Sequence, residues 1–205
     1  MAGIVKQSQR KVVVLTSLVA VLTLTSALLL VLAPQPLSGE SYNSLWATED
    51  NQDYLQEVFH TTVPTRADAD GWKFIYIHHS ATASGNAMTL GQTPDGLGDH
   101  FVIGNGDGCA DGEIQMSRRW MQQLAPGSPR GVNINPSCIS ICLIGDFDNL
   151  PPTPAQVHRL AQLVSTLQNR LRIDGKSVWF LDQAGSPAGI GRYFPQTAFR
   201  GTILP

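Results

Sequence analysis

Lys73-Phe-Ile-Tyr-Ile-His-His-Ser-Ala-Thr82 is the stretch on which the fold turns. Phe74, Ile75, Tyr76 and Ile77 are aromatic or β-branched, types that suit a pleated, half-buried surface, so the run reads as a strand. It closes on His78 and His79 followed by three small residues. A histidine at the end of a sheet strand is held rigidly, which suits a metal ligand or a general base. The plainer reading is two strand-end histidines, one buried and one solvated. These ten residues leave both readings open.

Working outward, a Gly-, Asn- and Thr-rich surface loop is expected over 83–98, then a second strand, Asp99-His-Phe-Val-Ile-Gly104. The glycines at 104, 106 and 108 supply positive-φ positions for a hairpin whose return strand lies near Gly112–Met116. No helix start follows them, so a phosphate cradle is not indicated. Residues 117–135 read as irregular. In Cys138-Ile-Ser-Ile-Cys-Leu-Ile-Gly145, Ile139, Ile141 and Leu143 alternate with Cys138, Ser140, Cys142 and Ile144. Both faces are apolar or small, as in a central strand covered on both sides.

Thr153 followed by Pro154 marks a helix start. Val157, Leu160, Val164, Leu167 and Leu171 then fall at helical spacing, with His158 off that stripe. Ser177-Val-Trp-Phe-Leu181 reads as a further strand, and 184–205, rich in Gly and Pro, as irregular. Strands alternating with a long helix, plus a hairpin, indicate an α/β domain: a central mixed β-sheet flanked by helices.

The N-terminus has a different character. Residues 1–11 carry Lys6, Arg10 and Lys11 and no acid, and Val12 to Ala33 is a run of 22 residues without a charge. A cleaved signal has an apolar core of roughly 7–15 residues, whereas a membrane-spanning helix needs about 20. The expectation is one uncleaved transmembrane helix over 12–33. The basic tail 1–11 would lie in the cytoplasm, with a Pro/Gly-opened stalk over 34–65 and the globular domain over 66–205 on the outer side. A short helix is expected in the stalk between Ser44 and His60. The corresponding localisation is the cytoplasmic membrane, single-pass, with the domain facing the periplasm or wall. All 16 acidic residues follow Ala33 against 11 of the 14 basic ones, so the outer part carries a net charge of −5. That argues against a nucleic-acid partner.

Cys138 and Cys142 are four residues apart in an extended run, about 13 Å between Cα atoms. A disulfide needs less than about 7 Å, so these two do not pair with each other. Cys109–Cys138 pairing and free thiols both remain open.

Six segments in order carry a resemblance: Ile75-Tyr-Ile-His-His-Ser-Ala-Thr82, Gly96-Leu-Gly-Asp-His-Phe-Val-Ile-Gly-Asn-Gly106, Asp111-Gly-Glu-Ile114, Ile139-Ser-Ile-Cys-Leu-Ile-Gly-Asp-Phe147, Thr153-Pro-Ala-Gln156 and Gly191-Arg-Tyr-Phe-Pro195. Together, over about residues 70–196, they resemble the zinc-dependent N-acetylmuramoyl-L-alanine amidases that share a fold with peptidoglycan recognition proteins. The resemblance implies a zinc ion held by two histidines and a cysteine or aspartate, which polarises the amide carbonyl and acidifies a bound water. His78 matches the first ligand. Laying Gly191–Pro195 on the family's closing segment places Leu181 at the second histidine and Gly189 at the third ligand, with Pro187 two residues before it. Asp99 stands where the family has a tyrosine. Asp182 would point to the opposite face from Leu181. The loop 83–98 is shorter than the helix-bearing segment family members carry there.

The resemblance therefore implies peptidoglycan as partner and a groove that includes His78, Ser80, Asp99 and Leu181. His78 is the one matching zinc ligand, and Asp99 is a candidate catalytic group paired with it. Trp72, Trp120 and Tyr193 are the aromatics available to line the groove. Two functions follow. The first is a membrane-anchored peptidoglycan-binding domain without a complete zinc site. The second is an active amidase, cutting between N-acetylmuramic acid and L-alanine with a rebuilt site of His78, Asp99 and an unidentified third ligand.

Overall fold

The computed structural model describes residues 14–23, 25, 43–45, 71–93, 95–127, 134–181 and 190–203. The chain divides into two compact units, residues 1–39 and 40–205. In the first, residues 14–23 are helical and exposed. Among the described residues no helix is long and apolar enough to cross a membrane; residues 12, 13, 24 and 26–33 of the expected span lie outside them.

The second unit holds strands β1 (Asn43–Leu45), β2 (Phe74–His79), β3 (Phe101–Ile103), β4 (Ile114–Met116), β5 (Cys138–Leu143) and β6 (Val178–Phe180). Its helices are α1 (Ala87–Leu90), α2 (Arg118–Met121), α3 (Pro154–Leu171) and α4 (Gln196–Arg200), with a 3-10 turn at Gly175–Ser177. The strands form one mixed sheet in the order β1-β4-β3-β5-β2-β6. β1 with β4 and β4 with β3 are antiparallel, while β3, β5, β2 and β6 run parallel. β5 is central and buried along its whole length, as its two apolar faces require.

Alternation gives the sheet two unlike faces. Ile75, Ile77, Ile139, Ile141, Leu143, Phe101, Ile103, Ile114 and Met116 face the main core, where Leu160, Leu163, Val164 and Leu167 of α3 join them. Each such side chain, fully withdrawn from water, contributes on the order of 2 kcal/mol. α3 begins where its capping chemistry dictates. The Thr153 hydroxyl accepts from the Gln156 N–H at 3.0 Å, and the Gln156 side chain accepts from the Thr153 N–H at 3.1 Å. The Gln156 amide nitrogen also donates to the carbonyls of Ile144 at 2.8 Å and Ile103 at 3.2 Å, fastening the helix start to the sheet. His158 is exposed, as its place off the stripe requires.

The structure corrects several local expectations. Ser44 and Leu45 belong to strand β1 rather than to a helix; they cover the outer edge of the β3–β4 hairpin, which would otherwise present unpaired backbone groups. The remainder of the expected 44–60 helix lies outside the described residues. The 83–98 loop contains α1, started by a capping box of Asn86 and Thr89. Ser117 caps α2 within the stretch read as irregular, and α4 does the same for the C-terminal segment. Trp72 and Trp120 are core residues, 6% and 1% exposed, and do not line a groove. All three cysteines are free.

Candidate functional site

On the face of the sheet opposite α3, register places four side chains of β2 and β5 side by side: Tyr76 beside Ser140 and His78 beside Cys142. Asp99, just before β3, completes the group. Its carboxylate Oδ1 lies 2.8 Å from His78 Nε2 and accepts a short hydrogen bond from the Ser140 hydroxyl. His78 Nδ1 lies 3.3 Å from the backbone carbonyl of His79, and its ring stacks on Tyr76 at a centroid distance of 5.6 Å.

Asp99 is held by its neighbours. Ser117 Oγ donates to the Asp99 carbonyl at 2.6 Å. The adjacent His100 is fully buried: its Nδ1 accepts from the Ser140 N–H at 2.9 Å and its Nε2 donates to the Leu124 carbonyl at 2.8 Å. This assigns the neutral tautomer to His100 and ties the start of β3 to β5.

Burial works against charge on both members of the His78–Asp99 pair, but each compensates the other. For His78, desolvation is outweighed by the Asp99 charge and hydrogen bond, and its pKa is raised. For Asp99, desolvation is outweighed by the charge and hydrogen bond of His78, with the Ser140 bond adding to them, and its pKa is lowered. Cys142 is pushed well above the usual thiol range by burial and by the nearby Asp99 charge. Tyr76 is raised by burial first and by Asp99 second. Its hydroxyl is buried beside Ser140, whose hydroxyl partly offsets these effects.

The cluster forms one wall of an open cavity of about 750 Å³, lined also by Ser80, Leu90, Leu97 and Arg119. Ser80 accepts from the Gly145 N–H at 3.0 Å and shapes the rim at the end of β2. Arg119 reaches the cavity, with its guanidinium donating to the carbonyls of Leu97 at 2.7 Å and Ala125 at 3.0 Å. Leu181 shares the His78 face, one strand over, and packs with Tyr76 and Cys138. Tyr193 is exposed beneath Arg192. His79 points the other way. It is buried, accepts from the Phe147 N–H at 3.1 Å and stacks on Phe147, a structural role.

Of the positions that the resemblance assigns to zinc, His78 has a donor and Leu181 has none. Gly189, Pro187 and Asp182 lie outside the described residues, and Gly189 has no side chain to offer. On that assignment the family's ligand positions supply one donor in this chain, His78, fewer than the three that a zinc site takes. A different group of donors lies close together. Ligand atoms of His78, Asp99 and Cys142 all lie within 4.8 Å of one another. Cys142 was not singled out from sequence because the register of β5 on β2 is invisible there. The usable signal is its position on the same face of the strand as Ser140.

Comparison with known proteins agrees with this architecture. Two solved structures from Clostridium intestinale URNW, the endolysin N-acetylmuramoyl-L-alanine amidase LysCS and the N-acetylmuramoyl-L-alanine amidase LysC, each superpose with a TM-score of 0.51 at 20% identity. Each covers 68% of this chain, and 91% and 93% of their own. A human peptidoglycan recognition protein, solved with a glycosamyl muramyl pentapeptide, has a TM-score of 0.44 at 16% identity, covering 59% of this chain and 79% of its own. No curated protein matches the sequence. The Amidase_2 family, described as N-acetylmuramoyl-L-alanine amidase, matches residues 67–185, more than half of the chain. The chain belongs to the N-acetylmuramoyl-L-alanine amidase family.

Proposed function

We propose that this chain is a membrane-anchored, peptidoglycan-binding member of its family, holding the peptide stem or glycan in the cavity beside His78 and Asp99. Family membership supports the ligand class, and the cavity supplies the space. The observation that carries the reading is the cavity wall itself: a partly exposed His78–Asp99 pair at 2.8 Å with Arg119 nearby, polar groups set in apolar surroundings, as ligand sites are built. The anchor rests on the 22 uncharged residues from Val12 to Ala33, with the basic tail before them.

Catalysis is a second reading, and the approach of Cys142 to His78 and Asp99 favours it. One experiment separates the two. The full chain, purified in detergent, is incubated with insoluble peptidoglycan; sedimentation measures binding, and new free amino groups measure amide cleavage. Co-sedimentation without amine release supports the binding module. Amine release at a rate proportional to enzyme overturns it in favour of the amidase. Absence of both removes peptidoglycan as the ligand.

A further inference from the structure

We infer that His78, Asp99 and Cys142 form a three-ligand transition-metal site that replaces the family's own, and that it takes zinc. The inference goes beyond peptidoglycan binding and stands without it. Its donors are an imidazole nitrogen, a carboxylate oxygen and a thiolate sulfur, from three different strands or strand ends, all within 4.8 Å of one another. That mixture suits zinc, which accepts nitrogen, oxygen and sulfur, and is foreign to magnesium or calcium, which want oxygen alone. Three protein donors with a fourth side open to a cavity is the pattern of zinc sites that admit water or substrate.

The spacing of the nitrogen and oxygen donors needs little adjustment. Two nitrogen or oxygen donors on a tetrahedral zinc stand about 3.3 Å apart, by the usual bond lengths. His78 Nε2 and Asp99 Oδ1 are now 2.8 Å apart around a shared proton. An ion that displaces this proton spreads the pair by a few tenths of an ångström. The outer groups that orient ligands are already present. His78 Nδ1 faces the His79 carbonyl, Ser140 donates to Asp99, Ser117 donates to the Asp99 carbonyl, and His100 accepts from the Ser140 N–H.

Two further features point to an ion. Cys142 is buried and shares its register position with His78, which places its thiol within 4.8 Å of the other two donors. The Tyr76 hydroxyl, stacked in the same cluster, is buried and, among the described residues, has only Ser140 close by, so it has room for a further partner. An ion that arrives with a water would bring a partner to that group. The second cluster of donors, His79, Asp146 and Asp148, lacks these features. His79 Nδ1 is engaged by the Phe147 N–H, and Asp146 accepts from the Asp148 N–H and from Asn149.

The test uses the full chain in detergent, stripped with a chelator and dialysed against zinc or cobalt(II) in the absence of peptidoglycan. One equivalent of either metal is expected. The cobalt form should show a thiolate-to-metal charge-transfer band and tetrahedral ligand-field absorption, which report sulfur ligation on the unmodified chain. Cys142→Ser should abolish the charge-transfer band, and Asp99→Asn should weaken zinc at least about tenfold. Cys138→Ser, on the same strand but outside the cluster, should leave both unchanged. Less than a tenth of an equivalent of metal, or one equivalent with no charge-transfer band, would overturn the assignment. Because no wall material is present, this outcome is independent of whether the cavity binds peptidoglycan.

Discussion

Adjacent residues on a strand point to opposite faces, and in β2 this gives two neighbouring histidines different work. His79 enters the main core and clamps Phe147, while His78 meets Asp99 and Cys142 at the cavity. Burial sets the chemistry of the cysteines. Burial, with the Glu113 charge added, raises the Cys109 thiol to about 11, and burial alone raises Cys138 to about 12. A thiol reacts as its thiolate, so a raised pKa lowers reactivity below that pKa and restores it as pH climbs. At about pH 8 Cys109 should carry roughly a hundredfold less thiolate than an ordinary cysteine. Alkylation of the native protein, followed by mass spectrometry, should show both residues labelled far more slowly than in the urea-unfolded chain. The rate at Cys109 should rise steadily with pH. Labelling of either as fast as a free thiol at neutral pH would contradict their placement.

At the scale of elements, α3 is the part whose sequence and structure agree most closely. Its start at Thr153-Pro154 and its apolar stripe both read correctly, because capping and 3.6-residue periodicity are local properties. The work of Gln156 was not legible, since its partners at Ile103 and Ile144 are distant in sequence. Two substitutions separate these contributions. Thr153→Ala removes the cap and should cost about 1 kcal/mol in urea unfolding. Gln156→Leu keeps the volume but strands the buried Ile144 carbonyl, while the Ile103 carbonyl keeps the Ile144 N–H, and should cost about 1–3 kcal/mol. The closing segment offers a sharper case. Gly191 has φ +107° and sits so close to Phe147 that a Cβ would lie 2.6 Å from its carbonyl carbon, while Tyr193 N–H donates to the Phe147 carbonyl at 2.9 Å. Gly191→Ala should therefore destabilise the domain by about 1–3 kcal/mol. A thermal midpoint unchanged from wild type would show that the segment can shift away.

For the whole molecule, the sheet was legible as a set of strands but not as an arrangement. β-Branched and aromatic runs marked β2, β5 and β6, and six ordered motifs identified the family. What sequence withholds is register. The pairing of His78 with Cys142 and of Ser140 with Tyr76 arises from β2 lying parallel on β5, and no local pattern encodes it. Short elements failed for a related reason: α1 and α2 have four residues each, and β1 gains its shape from the edge it covers. The N-terminal run is a question about a solvent, the bilayer, rather than about a fold. If helical throughout, its 22 residues would extend about 33 Å, by 1.5 Å per residue, against a hydrocarbon core of about 30 Å. The full chain should then remain in the membrane fraction through high-salt and alkaline washes. Replacing Val21 and Leu22 with arginine adds about 2.5–3.5 kcal/mol of insertion cost at each position near the centre. That variant should move to the soluble fraction while retaining the secondary structure of residues 71–203. A wild-type chain released by the alkaline wash would remove the anchor.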